Sequence, residues 1–182
     1  MLVYTLKKST FDPTYWEVLL NGEVIQEIKI VFPLKKVPPF FKALEEIEPW
    51  LFSEERKLAK AYAFRLLNMR SYSKKILFQK LEKKGFSENV SNELIIEIER
   101  LGFLPEKELA ESIVRRKIQQ GYGPRYIQQY LKEKGLDPTH LEIDEEKALE
   151  KWIPKLKGKE KQKVIPFLIR KGFSLDKIHS FF

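Results

Sequence analysis

The chain contains no cysteine and only two histidines. A disulfide framework, a thiolate nucleophile and a thiolate metal site are therefore excluded. His140 and His179 lie far apart in the sequence, and neither has a partner at the spacing of metal ligands. A histidine metal site or catalytic triad is not expected, and we predict a protein without a metal or cofactor.

Long apolar segments are missing as well. No apolar run approaches the roughly 20 residues that cross a bilayer, and the N-terminus lacks the pattern of a secretion signal. We therefore expect a cytoplasmic protein that does not bind a membrane. The sequence also has no Gly-x-x-x-x-Gly-Lys phosphate loop and no Gly-x-Ser-x-Gly elbow. Because every acidic cluster also fits a helix start or an exposed face, we predict that the chain is not an enzyme.

The 182 residues are 43% hydrophobic and 13% aromatic, which is enough to build folded cores. The net charge of +8 makes nucleic acid a plausible partner. Residues 1–50 hold six lysines and seven carboxylates, so the positive charge is carried by the remainder of the chain. The positive excess lies mainly in the first and last helical units, residues 51–104 and 144–182, and not in the N-terminal segment.

The pattern Leu-x-x-Lys-Gly occurs three times, ending at Gly85, Gly135 and Gly172. A glycine that follows an apolar helical period predicts a left-handed helix cap, and the Ser or Asp two residues later predicts the N-cap of another helix. The apolar residues that align around the three copies are Leu77, Ile127 and Val164, then Leu81, Leu131 and Leu168, and finally Phe86, Leu136 and Phe173. Internal similarity of this kind predicts stacked helical units.

The first 50 residues have a different pattern. Short runs at 2–7, 15–20 and 23–31 are rich in β-branched and aromatic residues, and Asn21-Gly22 favours a tight hairpin turn. We predict a small three-stranded antiparallel sheet, covered by a short helix around Phe41 that ends at Pro49.

From Ser53 onward the periodicity is helical, and we predict a mainly α-helical fold of tandem three-helix repeats. The predicted domains are 1–50, 51–104, 105–143 and 144–182. Asp137-Pro138 is predicted to begin a stunted third helix in the second repeat. In the third repeat, one helix is expected from Ala148 to Leu156, and a short closing helix is expected to include Phe181 and Phe182.

Pro166 interrupts the regular repeat because it lies inside the segment that aligns with the Ser71 helix. Either that helix is kinked or it begins after the point that the alignment indicates.

Basic residues cluster where a first helix meets a second helix, and stacked repeats would align these junctions into a positive stripe that follows a phosphate backbone. The alternative for any one residue is an ordinary solvated helix surface. The residues predicted to form this stripe are Arg70, Lys74, Lys75, Arg115, Arg116, Lys117 and Arg125.

Two other segments have both a structural and a functional interpretation. Tyr122, Tyr126 and Tyr130 would form one stripe on a helix and could stack on bases, but core packing is favoured for Tyr126 and Tyr130. The lysine-rich segment 155–163 fits a solubilising loop better than a nucleic-acid contact.

The repeats resemble the RecX family, whose members regulate the RecA recombinase of bacteria. The residues that carry this resemblance lie mainly in the first two repeats: Arg70-Ser71 to Lys84-Gly85-Phe86, Leu101 to Leu104 with Ala110 and Arg115, and Gly123-Pro124-Arg125 to Lys134-Gly135-Leu136. The third repeat and the N-terminal segment fit the family's layout more loosely.

The resemblance implies that the tandem three-helix repeats form an elongated, curved array. It also implies a regulator that binds the RecA filament on single- or double-stranded DNA and inhibits its ATPase, strand-exchange and coprotease activities. It also implies that the chain is not an enzyme, and polar outer faces on the repeats are compatible with a monomer. Two alternatives remain: a helical protein that binds DNA without RecA, and a structural adaptor that binds no nucleic acid.

Overall fold

The structure is a computed structural model that describes residues 2–180. Three antiparallel strands form one sheet in the order β1-β2-β3, with Leu6 opposite Val18 and Trp16 opposite Ile28. Their bounds are β1 Tyr4–Lys8, β2 Tyr15–Leu20 and β3 Glu23–Lys29. Asn21 and Gly22 both have positive φ, at 49° and 96°. The predicted sheet and its two-residue turn are confirmed.

Nine α-helices follow in the described part of the chain. Their bounds are α1 Ile47–Met69, α2 Lys74–Lys83, α3 Glu88–Arg100, α4 Glu106–Gln119, α5 Pro124–Glu133, α6 Glu145–Glu150, α7 Ile153–Leu156, α8 Lys161–Arg170 and α9 Leu175–His179. None of the helices within residues 2–180 is both long and apolar enough to span a membrane. The fold is therefore mainly helical, as predicted.

The prediction that a short helix ends at Pro49 is wrong. Only a 3-10 turn, Leu44–Glu46, precedes α1, which begins at Ile47 and continues through Pro49. Proline is tolerated there because the amides of a first helical turn have no partner within the helix. The helix does cover the sheet, since Ile47 packs with Val18 and Phe41 in one buried cluster.

The chain forms two compact units. Unit 1 comprises the residues up to Arg70 together with Leu77–Phe103, and unit 2 comprises Ser71–Ile76 and the residues from Leu104 onward. The four domains predicted from the sequence, and their curved arrangement, stay predictions.

All nine aligned apolar residues of the three Leu-x-x-Lys-Gly copies are buried, with exposures of 4% or less. Each copy ends its helix in the same way: the amide of the residue after the glycine donates to the carbonyl of the leucine that begins the pattern, at distances of 2.9–3.2 Å. Gly85, Gly135 and Gly172 all have positive φ. The helix caps predicted from the pattern are confirmed.

The second repeat has no third helix. Residues 137–143 are not helical: Thr139 and His140 lie in a turn, and the Asp137 carboxylate accepts a hydrogen bond from the Thr139 amide at 2.9 Å. This local hydrogen bond competes with a helical first turn, and the predicted stunted helix is therefore wrong.

The third repeat departs from prediction at its first helix, which is divided into α6 and α7. Pro154 has no N–H to donate to the carbonyl of Glu150. The Trp152 amide donates to the Leu149 carbonyl at 2.8 Å, three residues back, and not to the residue four back as in an α-helix. Helix α8 begins at Lys161, where the alignment places it, and it includes Pro166. A later start is therefore wrong. Phe181 and Phe182 lie outside the described residues.

Candidate nucleic-acid interface

The beginning of α2 packs directly onto the end of α5 in unit 2. A Cβ atom at Gly135 would lie 2.6 Å from the Cβ of Lys75, so this approach requires a glycine. The Ser73 hydroxyl donates to the carbonyl of Lys134, and it also caps α2 by accepting from the Ile76 amide at 3.3 Å. We call this contact the α2–α5 joint.

The beginning of α5 packs onto the end of α8 in the same manner, which we call the α5–α8 joint. The Gly123 amide donates to the Lys171 carbonyl at 2.8 Å, and the Arg125 amide donates to the Gly172 carbonyl at 3.0 Å. A Cβ atom at Gly172 would lie 2.6 Å from the Cβ of Tyr126. The Lys-Gly ends of α5 and α8 therefore each pack against the first turn of another helix, that of α2 and that of α5 respectively.

Each joint brings a predicted cation next to a lysine of the repeated pattern. Lys75 lies against the Lys134-Gly135 turn, and Arg125 lies against the Lys171-Gly172 turn. Both Lys75 and Arg125 are exposed, and neither forms an ion pair with a described residue. The joints thus place two pairs of cations along unit 2.

Two of the predicted cations are paired with carboxylates. The Lys74 ammonium lies 3.6 Å from Glu106, whose other oxygen accepts a hydrogen bond from the Lys74 amide at 2.8 Å. Arg115 lies 3.9 Å from Glu111 on the same helix. These contacts give both side chains a role within unit 2.

Arg116 differs from its neighbour Arg115 because it is exposed and forms no ion pair with any described residue. Arg70 belongs to unit 1, where it follows α1 and donates its amide to the Leu66 carbonyl at 3.3 Å.

Lys117, the last of the predicted cations, is the centre of an aromatic cluster. Its ammonium lies 4.8 Å from the ring centre of Tyr122, 5.3 Å from that of Tyr126 and 4.3 Å from that of Tyr130. The three rings are stacked, with centroid separations of 4.1 Å and 6.4 Å. Tyr126 and Tyr130 lie four residues apart on one side of α5, whereas Tyr122 precedes that helix and stacks on Tyr126.

Two further lysines contact the same row of rings. Lys171 lies 4.4 Å from the ring centre of Tyr122, and Lys134 lies 5.4 Å from that of Tyr130. We call this group the tyrosine–lysine cluster, and its members are Lys117, Tyr122, Tyr126, Tyr130, Lys134 and Lys171.

Trp152 fixes one end of the cluster. Its indole N–H donates to the carbonyl of Gly121 at 2.7 Å, and a Cβ atom at Gly121 would overlap Nε1 of the indole ring. Lys171 also lies 5.0 Å from the indole ring. The third repeat therefore supports the tyrosine row through a defined hydrogen bond.

The three tyrosines are half-buried, and the core packing expected for Tyr130 is confirmed. Tyr122 and Tyr130 pack against the buried core of unit 2, whereas Tyr126 is stacked between them. Desolvation, followed by the neighbouring Tyr122, raises the pKa of Tyr126, so this phenol stays neutral at physiological pH.

Lys134 and Lys171 are functional candidates that the search for basic clusters missed. Each lysine belongs to the repeated Leu-x-x-Lys-Gly pattern, which by itself predicts only a helix end. Their position beside Lys75 and Arg125 depends on how the helices pack, although their recurrence before each glycine was a visible signal.

The lysine-rich segment is only partly a loop. Lys157 and Lys159 lie between α7 and α8, whereas Lys155 lies on α7 beside Trp152, with its ammonium 5.3 Å from the indole ring. Lys163 lies on α8 and pairs with Glu160 at 3.0 Å. Among residues 2–180, no group of three or more acidic, histidine or cysteine side chains is arranged to hold a metal ion.

Two family models match the helical part of the chain. Residues 59–97 match the first three-helix domain of RecX, and residues 106–142 match its second three-helix domain. These matches cover α2 and α5, whose ends carry the first two Lys-Gly pairs.

Curated relatives extend this similarity over most of the chain. The regulatory protein RecX of Legionella pneumophila (strain Corby) is 39% identical over 134 residues, which cover 66% of this chain and 89% of the relative. The regulatory protein RecX of Caldanaerobacter subterraneus subsp. tengcongensis is 30% identical over 135 residues, which cover 68% of each chain.

Solved structures share the fold. The crystal structure of RecX from Lactobacillus salivarius has a TM-score of 0.56 at 24% identity and covers 71% of this chain and 95% of that protein. A second crystal structure, of a regulatory protein RecX, has a TM-score of 0.59 at 17% identity and covers 99% of this chain and 98% of that protein. With these helical domains and relatives, the chain belongs to the RecX family of regulatory proteins.

Proposed function

We propose that this protein binds the RecA–DNA filament and restrains it, lowering its ATPase, strand-exchange and coprotease activities. Membership of the RecX family is the observation that carries this proposal. The protein acts by binding and has no catalytic activity of its own. It works in the cytoplasm as a monomer.

The cations at the two joints of unit 2 support a binding surface for the filament. Lys75, Arg116 and Arg125 are exposed and have no carboxylate partner among the described residues. Unpaired cations are available to phosphates or to acidic side chains, whereas Lys74 and Arg115 would first give up an ion pair. Lys75, Arg116 and Arg125 therefore contribute more binding energy than their paired neighbours.

A titration against RecA on single-stranded DNA tests this function. ATP hydrolysis and strand exchange are expected to fall as the purified protein approaches the concentration of RecA. The triple variant Lys75→Gln, Arg116→Gln, Arg125→Gln should require a concentration about tenfold or more higher for the same inhibition. Unchanged RecA activities at a stoichiometric excess of the wild-type protein would refute the proposal.

A charge-matched control separates a specific surface from net charge. Lys132, Lys147 and Lys151 are exposed lysines of unit 2 that lie outside the two joints. Replacing all three by glutamine removes the same charge and should change the inhibitory concentration by less than about threefold. Equal effects of the two triple variants would mean that total charge, and not this surface, governs binding.

The second candidate function is DNA binding without RecA, which the same unpaired cations favour. A pull-down with RecA filaments, with RecA alone and with single-stranded DNA alone distinguishes the two functions. Retention by DNA alone, with no additional retention by the filament and no effect on ATP hydrolysis, would favour the second function.

A further inference from the structure

We propose that the tyrosine–lysine cluster is a binding site for the phosphate backbone of a nucleic-acid strand. This inference deepens the proposed function. It rests on that function in one respect, since both require that the protein contacts nucleic acid. It assigns binding to Lys134 and Lys171, and it gives the tyrosines the task of holding the lysines in place.

The lysines of the cluster carry charge that the protein does not neutralise. None of Lys117, Lys134 and Lys171 forms an ion pair with a described residue, although the protein has 26 carboxylates. Glu133 lies near Tyr126 but accepts a hydrogen bond from the Gln129 amide at 3.1 Å. Three uncompensated ammonium groups in one small area favour an anionic partner.

The rings fix the lysines at short spacing. Lys117 and Lys171 share the Tyr122 ring, at 4.8 Å and 4.4 Å from its centre, so their ammonium groups are at most about 9 Å apart. Lys117 and Lys134 share the Tyr130 ring in the same way, at 4.3 Å and 5.4 Å. Lysines that are already ordered lose less entropy when they bind than free surface lysines do.

The geometry favours phosphates over bases as the bound groups. The Tyr126 ring is stacked with both neighbouring tyrosines, and Lys117 lies over all three rings, so these contacts compete with a base for the aromatic faces. The lysines remain half-exposed, which leaves their other N–H groups free to donate to phosphate oxygens. Binding at this site is therefore independent of base sequence.

The two joints extend the site in both directions. Lys75 lies beside the turn that carries Lys134, and Arg125 lies beside the turn that carries Lys171. A strand that crosses the tyrosine row would meet one of these cations at each end. The regular Lys-Gly pattern thereby contributes one lysine to the site from each of two successive repeats.

Binding of a fluorescent oligo-dT to the full chain without RecA tests the site by anisotropy over a range of salt concentrations. Lys117→Met and Lys171→Met keep the aliphatic stem and remove the charge. Each is expected to weaken binding about three- to tenfold and to reduce the slope of log K against log salt by about 0.7. Lys117→Arg should retain most of the affinity, and a mixed-sequence oligonucleotide of equal length should bind within about twofold of oligo-dT.

Lys132→Met is the matched control. Lys132 lies on α5, two residues after Tyr130, and it is exposed and outside the cluster. The variant should bind oligo-dT like the wild type. If Lys117→Met and Lys171→Met bind as tightly as Lys132→Met, and only their melting temperatures fall, then the cluster is a structural brace and the proposal is wrong.

The outcomes for this site and for the proposed function are separable. If the lysine variants lose oligo-dT binding but still inhibit RecA as strongly as the wild type, the cluster binds nucleic acid but is not needed for regulation of RecA. Wild-type oligo-dT binding with no effect on RecA would overturn the proposed function and leave the site intact. A duplex of equal length shows whether the site prefers one strand or two.

Discussion

Single residues decide how closely the repeats of unit 2 approach each other. Gly172 has a φ of 91° and lies so near Tyr126 that a side chain would overlap the first turn of α5. Gly158 has a φ of 79° and no atom within 4 Å of the position that a Cβ would occupy. Substitution at Gly158 should therefore destabilise the fold only through its backbone conformation, whereas substitution at Gly172 should add the free-energy cost of disturbed packing.

We expect Gly172→Ala to lower the free energy of unfolding by about 2–5 kcal/mol, and Gly158→Ala by only about 1–2 kcal/mol. Both substitutions place a Cβ in the left-handed region, but only alanine at position 172 also disrupts the α5–α8 joint. Urea unfolding followed by circular dichroism measures both values. Equal losses would show that the close approach at Gly172 does not limit stability.

A second residue-scale prediction concerns Glu97, which braces α3 against α1. Its carboxylate accepts hydrogen bonds from Lys60 and from Arg56, the latter at 3.1 Å, and these contacts, Lys60 first, lower its pKa. Because the folded-state pKa is lowered, the stabilisation is complete above the unfolded value near 4.5 and is lost as the pH falls through the folded-state value.

Glu97→Gln should therefore reduce stability by less than about 1 kcal/mol at pH 7, since the two cations are nearly half exposed. The difference from the wild type should shrink towards zero in acid and at high salt. Urea titrations at several pH values measure it. Glu93→Gln, which alters an exposed carboxylate of the same helix, is the control, and an equal, pH-independent loss in both variants would contradict the mechanism.

At the scale of elements, prolines mark the places where sequence patterns predicted the helices least well. Pro49 lies in the first turn of α1 and not at the predicted helix end, whereas Pro154 divides a predicted helix into α6 and α7. The same residue type either breaks or begins a helix depending on whether its missing N–H would have had a partner. Only the register of each helix decides this, and tertiary packing sets that register.

The helices that end in the repeated Leu-x-x-Lys-Gly pattern were predicted well. Helices α2, α5 and α8 each end two residues before the predicted glycine, which forms the cap, and their aligned apolar residues are buried. Periodicity and a helix cap are local properties of the sequence, which is why they could be predicted. The candidate site was predicted only in part. Lys117 and Arg125 were identified by charge, but Lys171 joins them through packing between repeats, which single-segment patterns do not encode.

Two of the prolines in unit 2, Pro124 and Pro166, occupy different positions in their helices, and their replacement by alanine should change stability in opposite directions. Pro166 lies inside α8, where it removes the hydrogen bond to the Gln162 carbonyl, whereas Pro124 is the first residue of α5. Pro166→Ala should raise the free energy of unfolding by about 1–3 kcal/mol, and Pro124→Ala should lower it by up to about 1 kcal/mol. Thermal and urea unfolding of the two variants provide the comparison. Destabilisation by Pro166→Ala would show that the proline ring supports packing that outweighs the missing hydrogen bond.

At the scale of the whole molecule, the chain is divided into two compact units, and the boundary passes through α2. Its first turn belongs to unit 2 through the α2–α5 joint, whereas the residues from Leu77 onward belong to unit 1. Contacts are dense within each unit, and regions of dense contacts tend to open together. A perturbation inside one unit should therefore stay largely within it.

Hydrogen exchange measured by mass spectrometry tests this division. Gly172→Ala should speed exchange at least about tenfold across α4, α5 and α8 while leaving the sheet and α3 close to the wild type, because its overlap lies wholly within unit 2. Val18→Ala, which removes a fully buried side chain beneath the sheet, should produce the converse pattern. Helix α2 is the internal reporter: residues 74–76 should follow unit 2 and residues 77–83 should follow unit 1. If either variant speeds exchange equally in both units, the molecule opens as a single cooperative body and the boundary within α2 has no energetic meaning.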